Sequence, residues 1–291
     1  MTLLNPTRPT PLEAPVDRSV LRCLWHHRAG RAGALLGLAL LAFATIGLAW
    51  TPHPPDLPDY ANALKPPSLT HPFGTDATGR DIFSRIMDGA HRSIGAALAV
   101  LGAIFGIGLV VGTLAGLAGG LLDAVLMRLA DIAMNLPGLV LAFAVLGLLG
   151  PGFVNLLIAL IAADWAWYAR LARSMALDAR GRPHVIAARL AGIPRRRIVM
   201  GHVLPGVAAQ VGIVASLALG STIGAISGFS FLGLGVQPPH AEWGALLAES
   251  RLYVPIAPWL LLGPATLIFL SVLAANLVGN ALRDLAAPEA R

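Results

Sequence analysis

The chain has 291 residues, of which 56% are hydrophobic and only 12% are charged, and its formal net charge is +6. Soluble domains carry about 25% charged residues, and disordered chains are polar and rich in charge, so this composition excludes both classes. The single cysteine, Cys23, excludes a disulfide framework and a multi-cysteine metal site. We therefore expect a protein that crosses a lipid bilayer several times.

The excess of basic residues does not indicate a nucleic-acid partner. Most lysines and arginines lie in short segments that flank apolar stretches, and the aromatic residues, at 6%, do not alternate with them as base-stacking surfaces require. Basic segments beside apolar stretches are instead typical of membrane proteins, whose cytoplasmic loops are rich in lysine and arginine. No nucleic acid is expected among the partners.

Six apolar stretches follow one another along the chain, each of about the length that a helix needs to cross a bilayer. A leader rich in proline and arginine precedes the first stretch and is too long for the basic region of a cleavable signal peptide. An even number of spans places both ends of the chain on the same side. The stretches are predicted at residues 32–50, within 94–122, at 129–149, at 153–168, between 203 and 234, and at 258–282.

The second stretch contains glycines four residues apart, as in Gly102 and Gly106, or in Gly108, Gly112 and Gly116. Small residues at this spacing let helix backbones approach each other closely in lipid. The close packing is expected either within this chain or against a second chain, and the pattern alone leaves both open.

The distribution of basic residues predicts the orientation. Sixteen of the 21 lysines and arginines lie in segments assigned to one side of the membrane and five in segments assigned to the other, so the richer side is expected to be the cytoplasm. We predict a cytoplasmic leader, a first span, an external loop, a five-helix core and a cytoplasmic tail, at residues 1–31, 32–50, 51–93, 94–282 and 283–291.

The sequence contains no motif for covalent chemistry or nucleotide hydrolysis, such as H-E-x-x-H, G-x-S-x-G or Walker A. We therefore predict that the chain is not an enzyme and has no catalytic residue. Asp131 and Asp164 lie near the predicted ends of spans, where a charge costs less. A stand-alone secondary transporter remains as an alternative, although the spans lack the ionisable chains and matching broken helices that this class requires.

The predicted inside segment at residues 169–203 carries eight arginines and the signals of two short helices. Pro183 is suited to a first helical position and Gly192 to a helix stop. A second helix is expected from Pro194 through three arginines to about His202. The segment is either a helical loop on the positive side or a docking surface for a soluble partner.

Three segments resemble one family of membrane proteins. Residues 184–192, HVIAARLAG, with Ile198 and Leu204-Pro205 after them, resemble the cytoplasmic EAA loop of permease subunits of binding-protein-dependent ABC importers. Residues 71–81, HPFGTDATGRD, and residues 229–244, from FSFLGLGVQPP to EWG, resemble external motifs of the dipeptide, oligopeptide and nickel group. The resemblance covers residues 20–288, and the chain is similar to the shorter of the two partner permeases in that group.

The resemblance implies an all-α, type I ABC permease fold with six transmembrane helices, multi-pass in the cell membrane with both termini cytoplasmic. It also implies a passive role beside four partner subunits. A second homologous permease chain would complete the translocation path, two cytoplasmic ATPases would bind ATP and magnesium, and an extracytoplasmic solute-binding protein would deliver dipeptides, oligopeptides, nickel or another small solute. This chain itself is expected to bind no cofactor.

The resemblance also assigns site residues. Ile186 stands where the family has a glutamate, so no acidic role is carried over. The expected ATPase-coupling residues are Ala187, Ala188, Arg189, Gly192, Arg197, Leu204 and Pro205.

The external motif comprises Gly74, Thr75, Asp76, Gly79, Arg80 and Asp81. Its charges are expected either to pair with one another and order the entry into the second span, or to contact the solute-binding protein.

The external loop comprises Gln237, Pro238, Pro239 and Trp243, with the tryptophan expected at the membrane interface. His240 and Glu242 are two isolated polar residues, too few to indicate a nickel site, so no metal ligand is assigned.

Overall fold

The structure is a computed structural model that describes residues 24–286, and these residues form helices and no β-strand. The long helices are rich in leucine, alanine and glycine, and nearly all their backbone hydrogen bonds are internal, as a bilayer requires. The helices are α1 (Arg28–Ala49), α2 (Ile82–Ala118), α3 (Gly120–Met134), α4 (Gly138–Leu149), α5 (Phe153–Arg180), α6 (Pro183–Leu190), α7 (Arg195–Ile198), α8 (Leu204–Phe231), α9 (Trp243–Ser250) and α10 (Trp259–Ala286).

Five helical runs in the described part of the chain are long and apolar enough to cross a bilayer, namely α1, α2, α5, the run Arg195–Phe231 and α10. A sixth crossing is obtained when the bent pair formed by α3 and α4 is counted as one span. The predicted all-α membrane fold is thereby confirmed in the described residues, with six spans on that count.

The third stretch, predicted as one span at residues 129–149, is not a single helix. Helices α3 and α4 meet at an angle of 90°. The cause is Pro137, which stands in an extended conformation directly before α4 and has no N–H to continue the hydrogen bonds of α3. The sequence reading followed hydropathy and overlooked this break.

Two helices extend well beyond their apolar stretches. Helix α2 has 37 residues, about 55 Å of length, and is preceded by Asp81 as its N-cap, whose side chain accepts a hydrogen bond from the backbone N–H of Ser84. Helix α5 continues to Arg180, because alanines such as Ala172 and Ala176 keep one face buried past the apolar stretch.

Glycines of α2 pack against α5. A Cβ atom at Gly112 would lie 2.1 Å from the carbonyl oxygen of Ala169, and one at Gly108 would lie 2.4 Å from the Cβ atom of Tyr168. At Gly102 a Cβ atom would meet none of the described residues within 4 Å. The intrachain packing left open by the sequence is thus present for one glycine row.

The ends of the described chain lie on one side of the helix bundle. Gly30, early in α1, lies against Ala281, late in α10, whereas Gly47, late in α1, lies against Met87, early in α2. The segment with the arginines (residues 181–203) lies on the first side, which we call the basic face. The loop between α1 and α2 lies, together with α9, on the opposite face.

Candidate functional sites

The segment of residues 181–203, called the basic segment from here on, has the local structure that the sequence predicted. Helix α6 begins with Pro183 at its first position and ends before Gly192, which has φ +74. The backbone N–H of Ile193 donates to the carbonyl oxygen of Ala188 at 3.1 Å and closes the helix end. Helix α7 then starts after Pro194 and continues through a π-helical turn into α8.

The two faces of α6 differ in burial. Val185 and Ala188 are buried against the helix bundle, which makes Ala188 a packing residue among the predicted coupling residues. Ile186 and Leu190 are one turn apart and both exposed, with 84% of Leu190 accessible. Helix α6 therefore presents an apolar edge to the solvent on the basic face.

The other predicted coupling residues are distributed over α6, α7 and the start of α8. Three of them, Ala187, Arg189 and Arg197, are exposed. The remaining two, Leu204 and Pro205, form the first turn of α8, directly after the π-helical turn.

Two arginines join the basic segment, and the end of α5 before it, to the last turn of α2. Arg180 donates from Nη1 to the carbonyl oxygen of Gly116 at 2.9 Å, and Arg195 donates from Nη2 to the carbonyl oxygen of Leu117. The last carbonyls of a helix lack internal partners and carry partial negative charge, so guanidinium groups satisfy them well. Sequence reasoning missed these contacts, because eight arginines in one segment look alike without the position of α2.

Helix α3 is also tied to α5 by ion pairs. Arg173 donates from Nε and Nη2 to the two carboxylate oxygens of Asp123, both at 2.6 Å. Arg170 pairs with Asp131, the acid expected near a span end. Such a bidentate pair fixes the relative orientation of two helices better than a single contact does.

Four charged residues form a cluster on the opposite face, called the Asp76 cluster and composed of Asp76, Arg80, Arg85 and Glu249. Oδ2 of Asp76 accepts from Nε of Arg80 at 2.7 Å and from Nη1 of Arg85 at 2.9 Å. Oε2 of Glu249 accepts from Nη2 of Arg80 at 3.0 Å and from Nη1 of Arg85 at 2.5 Å. The side chain of Arg85 is fully buried.

The electrostatic balance of the cluster keeps Asp76 ionised. Burial raises the pKa of the Asp76 carboxyl, but the guanidinium groups of Arg85 and Arg80, with further hydrogen bonds, more than offset this and hold the pKa below its ordinary value of 3.8. Two cations and two anions therefore neutralise one another at this site.

The cluster also holds the external loop. Arg80 and Arg85 donate to the carbonyl oxygen of Pro239 at 3.4 and 3.2 Å, directly after Pro238. Gln237 turns back and donates to the carbonyl oxygen of Gly233 at 3.1 Å.

The glycines of the external motif let its backbone pack closely against the loop that follows α1. Gly74 and Gly79 have φ values of +71 and +80, and a Cβ atom at Gly79 would lie 1.6 Å from the carbonyl oxygen of Asp59. Thr75 is buried and accepts from the backbone N–H of Lys65 at 2.9 Å. The expected local pairing of the motif is confirmed, and contact with a binding protein remains a prediction.

The expectation for Trp243 was wrong. Its side chain is fully buried, and its indole Nε1 donates to the carbonyl oxygen of Ile86 at 3.0 Å, so it does not lie at the membrane interface. The reason is Glu242, which caps α9 by accepting from the N–H groups of Gly244 and Ala245 at 3.0 and 3.1 Å and so fixes the helix start in the core.

Glu242 and His240 are engaged in intramolecular contacts. Glu242 is buried and also accepts from Ser93 Oγ at 2.9 Å. His240 pairs with Asp56 at 3.1 Å, on the surface. Glu242 therefore lies in the core and His240 on the surface.

Asp164 lies inside α5 rather than near its end, because the helix continues to Arg180. Together with Tyr168, Ser221 and Thr222 it lines a cavity of about 190 Å³ between α5 and α8. Asp164 is exposed in the single chain. A carboxylate in a span is costly when it faces lipid and usually faces a protein interface or a water-filled cavity.

Comparisons with known proteins place the chain in a family. Residues 108–291 match the family described as "Binding-protein-dependent transport system inner membrane component". The nickel transport system permease protein NikC of Escherichia coli (strain K12) is 41% identical over 252 residues, which cover 86% of this chain and 91% of that protein.

Two peptide permeases are similarly related. The probable D,D-dipeptide transport system permease protein DdpC of Escherichia coli (strain K12) is 40% identical over 238 residues, which cover 82% of this chain and 80% of that protein. The di/tripeptide transport system permease protein DppC of Pseudomonas aeruginosa (strain UCBPP-PA14) is 38% identical over 283 residues, which cover 93% of each chain.

Proposed function

Because the chain belongs to the inner membrane components of binding-protein-dependent transport systems, as a permease of the peptide and nickel type, we propose that it forms half of a translocation path. In this proposal a second, homologous permease forms the other half, two cytoplasmic ATPases hydrolyse ATP, and a solute-binding protein meets the face opposite the basic segment. This chain binds no cofactor and carries no catalytic residue. The ATP and magnesium are held by the partners.

The observation that carries the proposal is the exposed apolar edge of α6. Ile186 and Leu190 project from a short helix whose other face is buried, and Arg189 of the same helix is also exposed. An amphipathic helix of this kind fits a hydrophobic groove on a partner, with the charges at the rim. The partner in this proposal is the ATPase, and Ile186 contributes packing where the family has a glutamate.

Helix α2 provides the connection from this docking point to the opposite face. Its last carbonyls accept hydrogen bonds from Arg180 and Arg195, and its first turn carries Arg85 of the Asp76 cluster. A movement imposed on the basic segment by the ATPases therefore acts on the last turn of α2 and is carried along one continuous helix to the Asp76 cluster. Different contacts in two states of the ATPase then bias the permease between two conformations.

The cavity with Asp164 is the proposed wall of the translocation path. Its carboxylate and the hydroxyl groups of Ser221 and Thr222 face the surface of the single chain. A second permease packed against this surface would shield the acid from lipid and leave it beside the solute. A carboxylate at this place favours a solute with positive charge, such as a nickel ion or the amino group of a peptide.

The proposed orientation follows the basic residues. The basic segment and both ends of the described chain lie on one face, and positively charged segments of membrane proteins are retained in the cytoplasm. Both termini are therefore assigned to the cytoplasm in the proposal, and the Asp76 cluster to the outside.

ATP-dependent uptake by the assembled importer tests this function. Labelled nickel and labelled dipeptide would be supplied to vesicles with the wild-type chain, with Gly192→Pro, and with a deletion of residues 182–200. We expect solute uptake in the wild type and none in the two variants, with all three inserted in the membrane. Uptake without any ATPase would support the secondary transporter instead, and unimpaired uptake by both variants would contradict the proposed coupling.

A further inference from the structure

Two histidines and an aspartate lie together on the face opposite the basic segment. His53 follows α1, His71 lies in the middle of the loop between α1 and α2, and Asp81 stands directly before α2. Each offers one ligand atom, and the three atoms lie within 4.8 Å of one another. The residues are 28 positions apart at most, but no spacing in the sequence predicts that they meet.

We propose that His53, His71 and Asp81 bind one divalent transition-metal ion of the nickel and zinc class. Imidazole nitrogens together with one carboxylate are a common ligand set for these ions, and hard cations such as magnesium prefer oxygen ligands only. The site is distinct from the proposed translocation path, and it does not depend on which solute the importer moves.

The geometry of the pair His71 and Asp81 already suits an ion. Nδ1 of His71 lies 3.0 Å from Oδ1 of Asp81. Two ligand atoms about 2.1 Å from a metal and at a right angle to each other are about 3 Å apart. A metal ion can therefore replace the proton between these two atoms, and only the ring of His53 has to approach.

The ligands are oriented by hydrogen bonds from a second set of groups. Oδ2 of Asp81 accepts from the N–H and the Oγ of Ser84 at 2.8 and 2.7 Å, which leaves Oδ1 directed at His71. Such bonds fix a ligating carboxylate and are a regular part of metal sites.

His53 is held by the same kind of contacts. Its backbone N–H donates to Oγ of Ser84 at 3.0 Å, and its ring Nε2 lies 3.1 Å from the carbonyl oxygen of Thr70. A histidine that donates one ring N–H to a carbonyl keeps its other nitrogen unprotonated and available to a metal. The rings of His53 and His71 stand 4.8 Å apart between their centroids, so both reach the same region beside Asp81.

Burial also favours a site over a surface contact. The side chain of Asp81 is 1% exposed and that of His71 is 18% exposed, so the carboxylate is nearly dry while the histidine remains reachable. Bound metal would cross-link the segment after α1 to the start of α2. Because the metal ion binds only the folded loop, the bound ion would raise the thermal stability of the chain.

Metal titration of the purified chain tests the proposal. The chain would be prepared in detergent with a tag that contains no histidine, and titrated with Ni²⁺ and with Zn²⁺ in the presence of millimolar Mg²⁺ by calorimetry. We expect one ion per chain and a rise of the thermal midpoint. His53→Ala and Asp81→Asn should each weaken binding at least tenfold and abolish the thermal shift. Asparagine keeps the helix cap, so the second variant separates loss of the ligand charge from loss of the fold.

His240→Ala is the matched control, because His240 lies on the same face and pairs with Asp56 outside the site. Its affinity and thermal shift should equal those of the wild type. X-ray absorption of the bound ion should show two imidazoles in the wild type and one in His53→Ala. Equal affinity in the wild type, His53→Ala and Asp81→Asn would overturn the proposal. The same holds for a loss of binding in His184→Ala instead, since His184 and His202 form the ring pair of the basic segment.

Discussion

The Asp76 cluster and the basic segment both concentrate charge at an end of α2, but they use it in opposite ways. In the cluster, two arginines and two acids are paired, and Arg85 is fully buried. The basic segment contains five arginines and no acidic residue, and Arg196 and Arg197 are exposed to solvent. One end of the helix is thus closed by internal charge pairs, and the other end offers its charges outward.

This difference distinguishes charges that stabilise the fold from charges that are exposed to solvent. A buried charge must find its partners within the fold, because the desolvation cost is otherwise prohibitive. An exposed cation beside an exposed apolar edge has no such need, and in the proposal its partner is the ATPase. Arginine has a structural role in the Asp76 cluster and also at the last turn of α2, where Arg180 and Arg195 donate hydrogen bonds, whereas an interaction role is proposed for the exposed arginines of the basic segment.

The largest expected effect comes from removing a buried cation of the cluster. Arg85→Met would leave Asp76 and Glu249 to share Arg80 alone, and loss of one member of a buried ion pair costs about 3–5 kcal/mol. The thermal midpoint of the purified chain should fall strongly. Arg182→Met is the control in the basic segment, since its pair with Asp178 is exposed and should contribute no more than about 1 kcal/mol. Similar thermal midpoints for the two variants would contradict the difference between the buried and the exposed arginine.

Gly79 in the external motif and Gly192 in the basic segment have similar backbone angles but differ in the space around them. Gly79 has φ +80 and Gly192 has φ +74, but a Cβ atom would collide with the carbonyl oxygen of Asp59 at the first position and meet none of the described residues within 4 Å at the second. Gly192→Ala should cost about 1–2 kcal/mol for the left-handed backbone. Gly79→Ala should cost about 1–3 kcal/mol more through overpacking. Equal losses in denaturant unfolding would show that the two sites are equally crowded.

The pH dependence of stability should reveal the ionised state of Asp76. Its pKa is lowered in the folded chain, so its stabilising contribution is complete above the unfolded pKa of about 3.9 and is lost as the pH falls through the folded value. The difference in thermal midpoint between the wild type and Asp76→Asn should be constant from pH 7 to 5 and shrink below about pH 4. A difference that already declines between pH 7 and 5 would contradict the lowered pKa.

The smallest effect on stability is expected at the junction of the basic segment and α2. Arg195→Gln removes an exposed hydrogen bond to the carbonyl oxygen of Leu117 and should change the free energy of unfolding by less than about 1 kcal/mol. In the assembled importer it should nevertheless reduce the solute-stimulated ATPase rate. Arg196→Gln is the matched comparison, because it removes the same exposed charge without a hydrogen bond to α2, and it should reduce the rate less.

Local features of the fold could be predicted from the sequence, and the long-range ones could not. The apolar stretches and the helix from Pro183 to the stop at Gly192 follow from hydropathy and helix-capping rules, and both are present. The pairing of Arg85 with Glu249 joins residues 164 positions apart, so it depends on how α2 and α9 are packed.

Three other features were not predicted from the sequence. The bend before α4 was overlooked because hydropathy continues through Pro137. Trp243 was placed at the membrane interface because sequence cannot show that Glu242 caps a buried helix. The group of His53, His71 and Asp81 arises from the course of the loop, which carries no periodic pattern.

Co-purification is the most direct test of whether the ATPase docks on the apolar edge of α6. The tagged chain would be isolated from its native membrane as the wild type, as Leu190→Glu, and as Leu69→Glu, which changes an exposed leucine of the opposite face. We expect the ATPase and the second permease to co-purify with the wild type and with Leu69→Glu. Leu190→Glu should retain the permease but lose the ATPase. An ATPase retained in full by Leu190→Glu would contradict docking through the apolar edge of α6.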